Sequence, residues 1–242
     1  MPEEATALSS PYCGPAPGPE ALMSSWNTDP VLLLALGVML VAGVPRAGNR
    51  SVFLLAWGFL VLAFVSPLCA LTSALFSARA LHHLLILGVI APCLAMSLPL
   101  RRTAPTPAFA LTALALVAWH IPAVYSAAWE SRVVYWLMQA LLLLPAWGFW
   151  SAVVATGPRN EGFATALMIG ALAGIMGLIG AVLTFSNHLL YPEHLVGPLA
   201  WGLDPLSDQR AAGLLMWVPG LLPSGIVAAI IARRAWARGL AA

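Results

Sequence analysis

Residues 162–187 read GFATALMIGALAGIMGLIGAVLTFSN, an unbroken apolar stretch with no charged side chain. As a helix rising 1.5 Å per residue it would be about 39 Å long, more than the roughly 30 Å hydrocarbon layer of a bilayer. Periodicity cannot separate a buried strand from a helix in such a run, but its length does. In hydrocarbon the backbone must also satisfy its own polar groups, which a helix does within one segment. Gly170, Gly174, Gly177 and Gly180 include a Gly-x-x-x-Gly step. In an apolar segment this predicts close helix–helix approach, not a phosphate loop, and puts the run at the centre of a bundle.

Six further apolar runs flank it, near residues 29–44, 52–71, 80–98, 106–125, 133–155 and 211–232. The first is short, and Trp26 before it could extend it into the headgroup layer. Pro67, Pro92, Pro145 and Pro219 interrupt runs and read as kinks that neighbouring helices tolerate. The composition agrees: 61% hydrophobic and 8% charged, with a mean hydropathy of +0.89. So few polar groups could not cover a water-exposed surface, so lipid is the solvent for much of the chain. The expected fold is all-α, a polytopic transmembrane bundle of seven spans. Residues 29–234 form the membrane domain, 1–28 an extracytoplasmic tail expected to be disordered, and 235–242 a cytoplasmic tail. That first stretch has no arginine before Arg46 and no apolar core, so it does not read as a signal peptide.

Every basic residue is arginine. With seven spans, Arg46, Arg50, Arg101, Arg102, Arg159, Arg233, Arg234 and Arg238 fall on one side, and only Arg79, Arg132 and Arg210 on the other. The arginine-rich side is cytoplasmic by the positive-inside rule, which puts the N-terminus outside and the C-terminus inside. A net charge of +2 spread this way gives no nucleic-acid surface. Cys13, Cys69 and Cys93 are far apart and suggest neither a zinc cluster nor a disulfide framework.

This orientation places all five histidines outside. His82 and His83 open the third run, His120 lies in Trp119-His120-Ile121-Pro122, and His188 and His194 follow the sixth run. Neutral imidazole is the commonest metal ligand, and thioether and thiol groups favour copper(I). Cys69 and Met138 lie near the same level, and Met216 shares an i+4 stripe with Asp204, Asp208 and Ala212. The candidate metal residues are therefore His83, His120, Met216, His188, His82 and Asp208, with Asp208 also able to orient an imidazole from behind.

Plainer readings stand beside these. Interfacial histidines are often solvated, and adjacent His82 and His83 point about 100° apart on a helix, so one of them, His83, is expected to face the bundle. His194, in a loop, is expected in solvent. Trp26, Trp119, Trp129, Trp201 and Trp217 read as an interfacial belt, Asp204-Pro205 as an N-cap and first helical residue, and Met216 as core packing. No catalytic motif is present, and no acidic residue sits mid-membrane as a proton-coupled transporter would need. An enzyme is not expected.

From Trp26 to Pro223 the chain resembles the CtaG-type cytochrome c oxidase assembly factors of bacteria. The resemblance is carried by Trp26-Asn27-Thr28-Asp29-Pro30, the histidine-containing start of the third run, and Trp119-His120-Ile121-Pro122-Ala123-Val124-Tyr125. It continues through Leu183-Thr184-Phe185-Ser186, Leu190-Tyr191-Pro192 and the stretch from Leu203 to Gly220. It implies a multi-spanning protein of the bacterial plasma membrane that matures a haem–copper oxidase and helps copper reach it on the outer side. Oxidase subunits are the implied partners, with periplasmic copper chaperones as candidate donors. His83, His120, Asp208, Gln209, Met216 and Trp217 match its motifs. In the family the third helix usually opens with two histidines four residues apart, the first followed by methionine. Arg79 and Ala80 stand at those places here, and His82 supplies a second imidazole beside His83. Three functions remain open: copper(I) handling, a b-type haem with His83 and His120 as axial ligands, and a metal-free scaffold that docks oxidase subunits.

Overall fold

Each apolar run folds as helix, and the first three helices start at a side-chain cap. In the computed structural model, which describes residues 11–101, 103–155 and 159–240, no strand occurs among the described residues. Helix α1 (Pro30–Gly43) begins behind Asp29, whose carboxylate accepts from the Val31 and Leu32 N–H groups. Asn49 caps α2 (Arg50–Phe64), and Ser66 with Pro67 opens α3 (Pro67–Ala74) at a 46° bend. Helix α4 (Phe76–Leu85) continues through a π turn (Ile86–Ile90) into α5 (Ala91–Ser97), forming one helical stretch of 22 residues. Pro92 lies in the first turn of α5. It offers no N–H to the preceding carbonyls, and the looser π turn accommodates that loss.

Helix α6 (Pro105–Ala118) stops at Trp119, and the chain turns through 83° into α7 (Pro122–Glu130). The run expected over 106–125 is therefore broken, because Pro122 bars helical conformation at Ile121. Helices α8 (Arg132–Ala155), α9 (Arg159–Phe185) and α10 (Pro205–Leu240) are long, with Pro145 inside α8 and Pro219 and Pro223 inside α10. Asp204 accepts from the Ser207 N–H ahead of Pro205, as its sequence suggests. Four helical stretches are long and apolar enough to cross a membrane, or six if each bent pair counts as one; α1 is shorter.

The centre of the bundle differs from the expected one. The α4–α5 stretch is the most enclosed of the four, 56% buried against 33% for α9. Of the α9 glycines, Gly170 and Gly174 face open space, so their Gly-x-x-x-Gly step is not a contact. The close approach is at Gly180, where a Cβ would stand 2.7 Å from the Gly213 carbonyl of α10.

The N-terminal segment also departs from expectation. Its first ten residues, Arg102 and the final two residues lie outside the described residues, but residues 11–28 are fastened to the bundle. Cys13 forms a disulfide with Cys69, Tyr12 stacks on Tyr135 at 4.8 Å, and Trp201 donates to the Pro17 carbonyl at 3.0 Å. Cys69 is thus no free thiol for copper. Both partners were placed on the outer side and Cys93 was not, which is the signal that could have revealed the pair.

Candidate metal centre

The site is built at the start of α4. The chain leaves α3 through extended Leu75, so the first N–H groups of α4 need acceptors. Asp208, from the first turn of α10, supplies them: it accepts from the Phe76 N–H at 2.6 Å, the Ser77 N–H at 3.3 Å and the Ser77 hydroxyl. This carboxylate is 2% exposed and is engaged in capping a helix that is distant in sequence, a role its stripe on α10 did not suggest.

One turn into α4, Arg79, His82 and His83 are all buried, at 3%, 0% and 6% exposure. The expectation that only His83 would face inward fails because α4 is enclosed on several sides. Phe64 of α2 meets His82 edge-on at 5.0 Å, and Tyr135 of α8 lies 5.7 Å from the Arg79 guanidinium. Neither ring nitrogen of His82 has a hydrogen-bond partner among the described residues, nor does His83 Nε2. His82 approaches the Ala63 carbonyl without hydrogen-bonding geometry.

His120 arrives from the other direction, at the broken end of α6. Its Nδ1 lies 2.6 Å from the Leu116 carbonyl. A carbonyl can only accept, so Nδ1 carries the proton and Nε2 keeps its lone pair. Tyr191 donates to the His120 carbonyl at 2.8 Å and fixes the turn. The three rings form a row: His82 to His83 at 5.9 Å and His83 to His120 at 6.4 Å between centroids.

The remaining candidates divide. Met216 is buried in a cluster with Phe76, Ala80, Leu116, Tyr125 and Tyr191. Met138 is likewise buried, in the cluster around Cys69 and Tyr135. His188 is exposed, and the fold uses its backbone carbonyl, which accepts from Gln209 at 3.1 Å. Gln209 also accepts from the Leu190 N–H at 2.7 Å, locking the connection between α9 and α10. Trp217 is partly exposed and packs edge-on against Phe185 at 5.8 Å. Trp119, grouped with the interfacial tryptophans, is buried instead.

His194 corrects the sequence reading most sharply. It is 1% exposed, not solvated, and shares a 2.7 Å hydrogen bond with the Tyr125 hydroxyl. Burial first, and the nearby Arg79 charge second, push its pKa down to about 3. It is therefore a neutral core histidine. Among the described residues no group of three or more histidine, cysteine, aspartate or glutamate side chains is arranged to hold a metal ion. What the fold offers is a row of three imidazoles, His82 and His83 buried and His120 half-buried, beside one arginine.

Residues 31–238 match the family described as cytochrome c oxidase caa3 assembly factor. The chain belongs to this family. No curated protein and no solved structure matches it. In this caa3 assembly factor the match spans every helix from α1 to α10, so the histidine row, the Asp208 cap and the broken end of α6 all lie within the family's own region.

Proposed function

We propose that this assembly factor holds or passes copper(I) at the extracytoplasmic face of the bacterial plasma membrane, with His83 and His120 as the ligands and no catalytic step. The observation that carries the reading is the pair itself. The two imidazoles come from separate elements, buried His83 from α4 and half-buried His120 from the turn that ends α6, and stand 6.4 Å apart. With metal–nitrogen bonds of about 2.0 Å, two rings facing one ion sit roughly 6 Å apart between centres. His120 has its tautomer set by Leu116, the arrangement that orients metal-bound imidazoles elsewhere. His83 Nε2 is a buried nitrogen with no hydrogen-bond partner among the described residues, which makes it available. A two-coordinate site of neutral nitrogens suits a soft monovalent ion better than a divalent one. Met216, in the buried cluster with Leu116 and Ala80, is the soft group assigned as a further ligand in this reading; His188, exposed on its loop, is not used.

The same reading takes all seven apolar segments as spans, with the N-terminus outside. The disulfide supports that side, since such bonds persist in oxidising compartments. Oxidase components are the recipients and a periplasmic copper chaperone the donor. The test is copper(I) stoichiometry of the purified protein against the double variant His83→Ala/His120→Ala. The parent is expected to retain copper through gel filtration and the variant to lose it; equal retention rejects the ligand pair.

A further inference from the structure

The most unusual group in the molecule is Arg79. It is nine-tenths buried and more, and a guanidinium does not lose its proton inside a protein. Among the described residues no carboxylate forms an ion pair with it: the pair found is Arg132–Asp29, and Glu193, whose charge acts on neighbouring Tyr125, accepts from the Ser126 hydroxyl. The buried Asp208 carboxylate is committed to the Phe76 and Ser77 donors. Nε and Nη1 of Arg79 have no acceptor among the described residues. Its neighbours offer hydrogen bonds but no counter-charge: the Tyr125 and Tyr135 hydroxyls interact with the guanidinium, and neither these phenols nor the His82, His83 and His194 rings near it carry a negative charge. Gln139, one turn from Tyr135 on α8, is also buried, and neither amide atom has a hydrogen-bond partner among the described residues.

An unpaired buried charge is among the most costly features a fold can contain, and it persists only where something compensates it. We infer that the Arg79 guanidinium, with the Gln139 amide and the neutral His82 ring, forms a binding site for a small monovalent anion, chloride being the one at hand in the outer medium. The donors suit it: guanidinium and amide N–H groups give charge-assisted hydrogen bonds to an anion and none to a cation. The enclosed setting selects for size, since a large or strongly hydrated anion could not shed its water and enter. The site stands whether or not copper binds next to it. If the proposed copper role also holds, the anion offsets Arg79 and lets a cation occupy the adjacent His83–His120 pair.

The test uses copper-free full-length protein in detergent, with thermal unfolding followed as sodium gluconate is replaced by sodium chloride or bromide at constant ionic strength. A saturable rise in melting temperature with the halides, absent with gluconate, is expected. Arg79→Gln is expected to abolish that rise, and Arg79→Lys to weaken halide affinity about tenfold, since a lysine point charge lacks the fork of donors. Arg132→Gln, which removes an exposed arginine, is expected to keep it. Equal stabilisation by gluconate, or a halide effect that survives Arg79→Gln, overturns the proposal. Should Arg79→Gln fail to fold, the parent's halide selectivity and the Arg79→Lys shift decide. Copper binding does not enter this measurement, so its failure and the failure of the copper reading remain distinguishable.

Discussion

At the scale of single residues, the side chains that matter most are those whose partners come from elsewhere in the chain. Asp208 is the clearest case. Its position in a family-like motif invites a metal or outer-sphere role, but its oxygens meet the first N–H groups of α4. Asp208→Ala leaves those buried donors unsatisfied, and each such loss costs about 1–3 kcal/mol. A lower melting temperature is therefore expected, with copper(I) stoichiometry unchanged in the protein that remains folded, while Asp208→Asn, which keeps an acceptor, loses less. A variant of normal stability that no longer binds copper would reverse this assignment. His194 makes the same point in the other direction: a loop position suggests solvent, yet the Tyr125 hydroxyl and the Phe76 and Trp129 rings enclose it. None of these three partners is near it in sequence, so spacing alone had nothing to report.

At the scale of elements, hydropathy located the helices because it is a local property, and it missed what depends on how helices meet. The glycines of α9 show the limit. Four look alike in sequence, yet Gly180 is the one pressed against the α10 backbone, and only the partner helix distinguishes them. The bend at Trp119–Ile121 was more legible, since Pro122 restricts the residue before it, and it is this bend that frees the Leu116 carbonyl for His120. The N-terminal segment is the largest departure. Cys13 Sγ lies 3.4 Å from the Tyr135 hydroxyl, and Tyr135 in turn lies against Arg79, so the strap rests on the roof of the histidine row. Closing a loop across 56 residues of sequence stabilises by up to about 4 kcal/mol in the chain-entropy account. Part of that is forfeited here because helices persist in the membrane-unfolded state. Cys13→Ser/Cys69→Ser is expected to lower the melting temperature and to increase amide exchange and protease cleavage within residues 11–28. Unchanged protection of that segment would show that Tyr12 stacking and the Trp201–Pro17 hydrogen bond hold the strap without the disulfide.

At the scale of the whole molecule, the two ends of the bundle are separately tied together, and the ties bear on how often the chain crosses the membrane. At one end Asn27 donates to the Phe64 carbonyl, Cys13 joins Cys69, Tyr191 holds the turn at His120, and Asp208 caps α4. At the other, the Gly48 N–H meets the Ser97 carbonyl, Trp147 donates to Leu98, and Leu100 bonds Ser151. Arg46, Arg50 and Arg101 belong to this second end. The uncertain crossing is α1, whose 14 residues span about 21 Å against a hydrocarbon layer of roughly 30 Å. A short helix can still cross if the bilayer thins around it or its flanking residues reach for the interface. Two features favour this: α1 leans on α2 through the bond from Trp57 to the Leu36 carbonyl, and Arg46 folds back to the Ala42 carbonyl at its far end. Alkaline phosphatase, which is active only outside the cytoplasm, reports the side of each later loop when fused at successive positions, and labelling ahead of α1 decides whether α1 itself crosses. Fusions after Ser131 and Asn187 are expected to be active, and fusions after Gly48, Thr103 and Arg234 inactive. If α1 does not cross, six crossings remain, the N-terminus joins Gly48, Thr103 and Arg234 on the cytoplasmic side, and those three fusions stay silent; a cysteine placed at Ser24 is then expected to be shielded from a membrane-impermeant maleimide in intact cells, whereas seven crossings leave Ser24→Cys open to labelling.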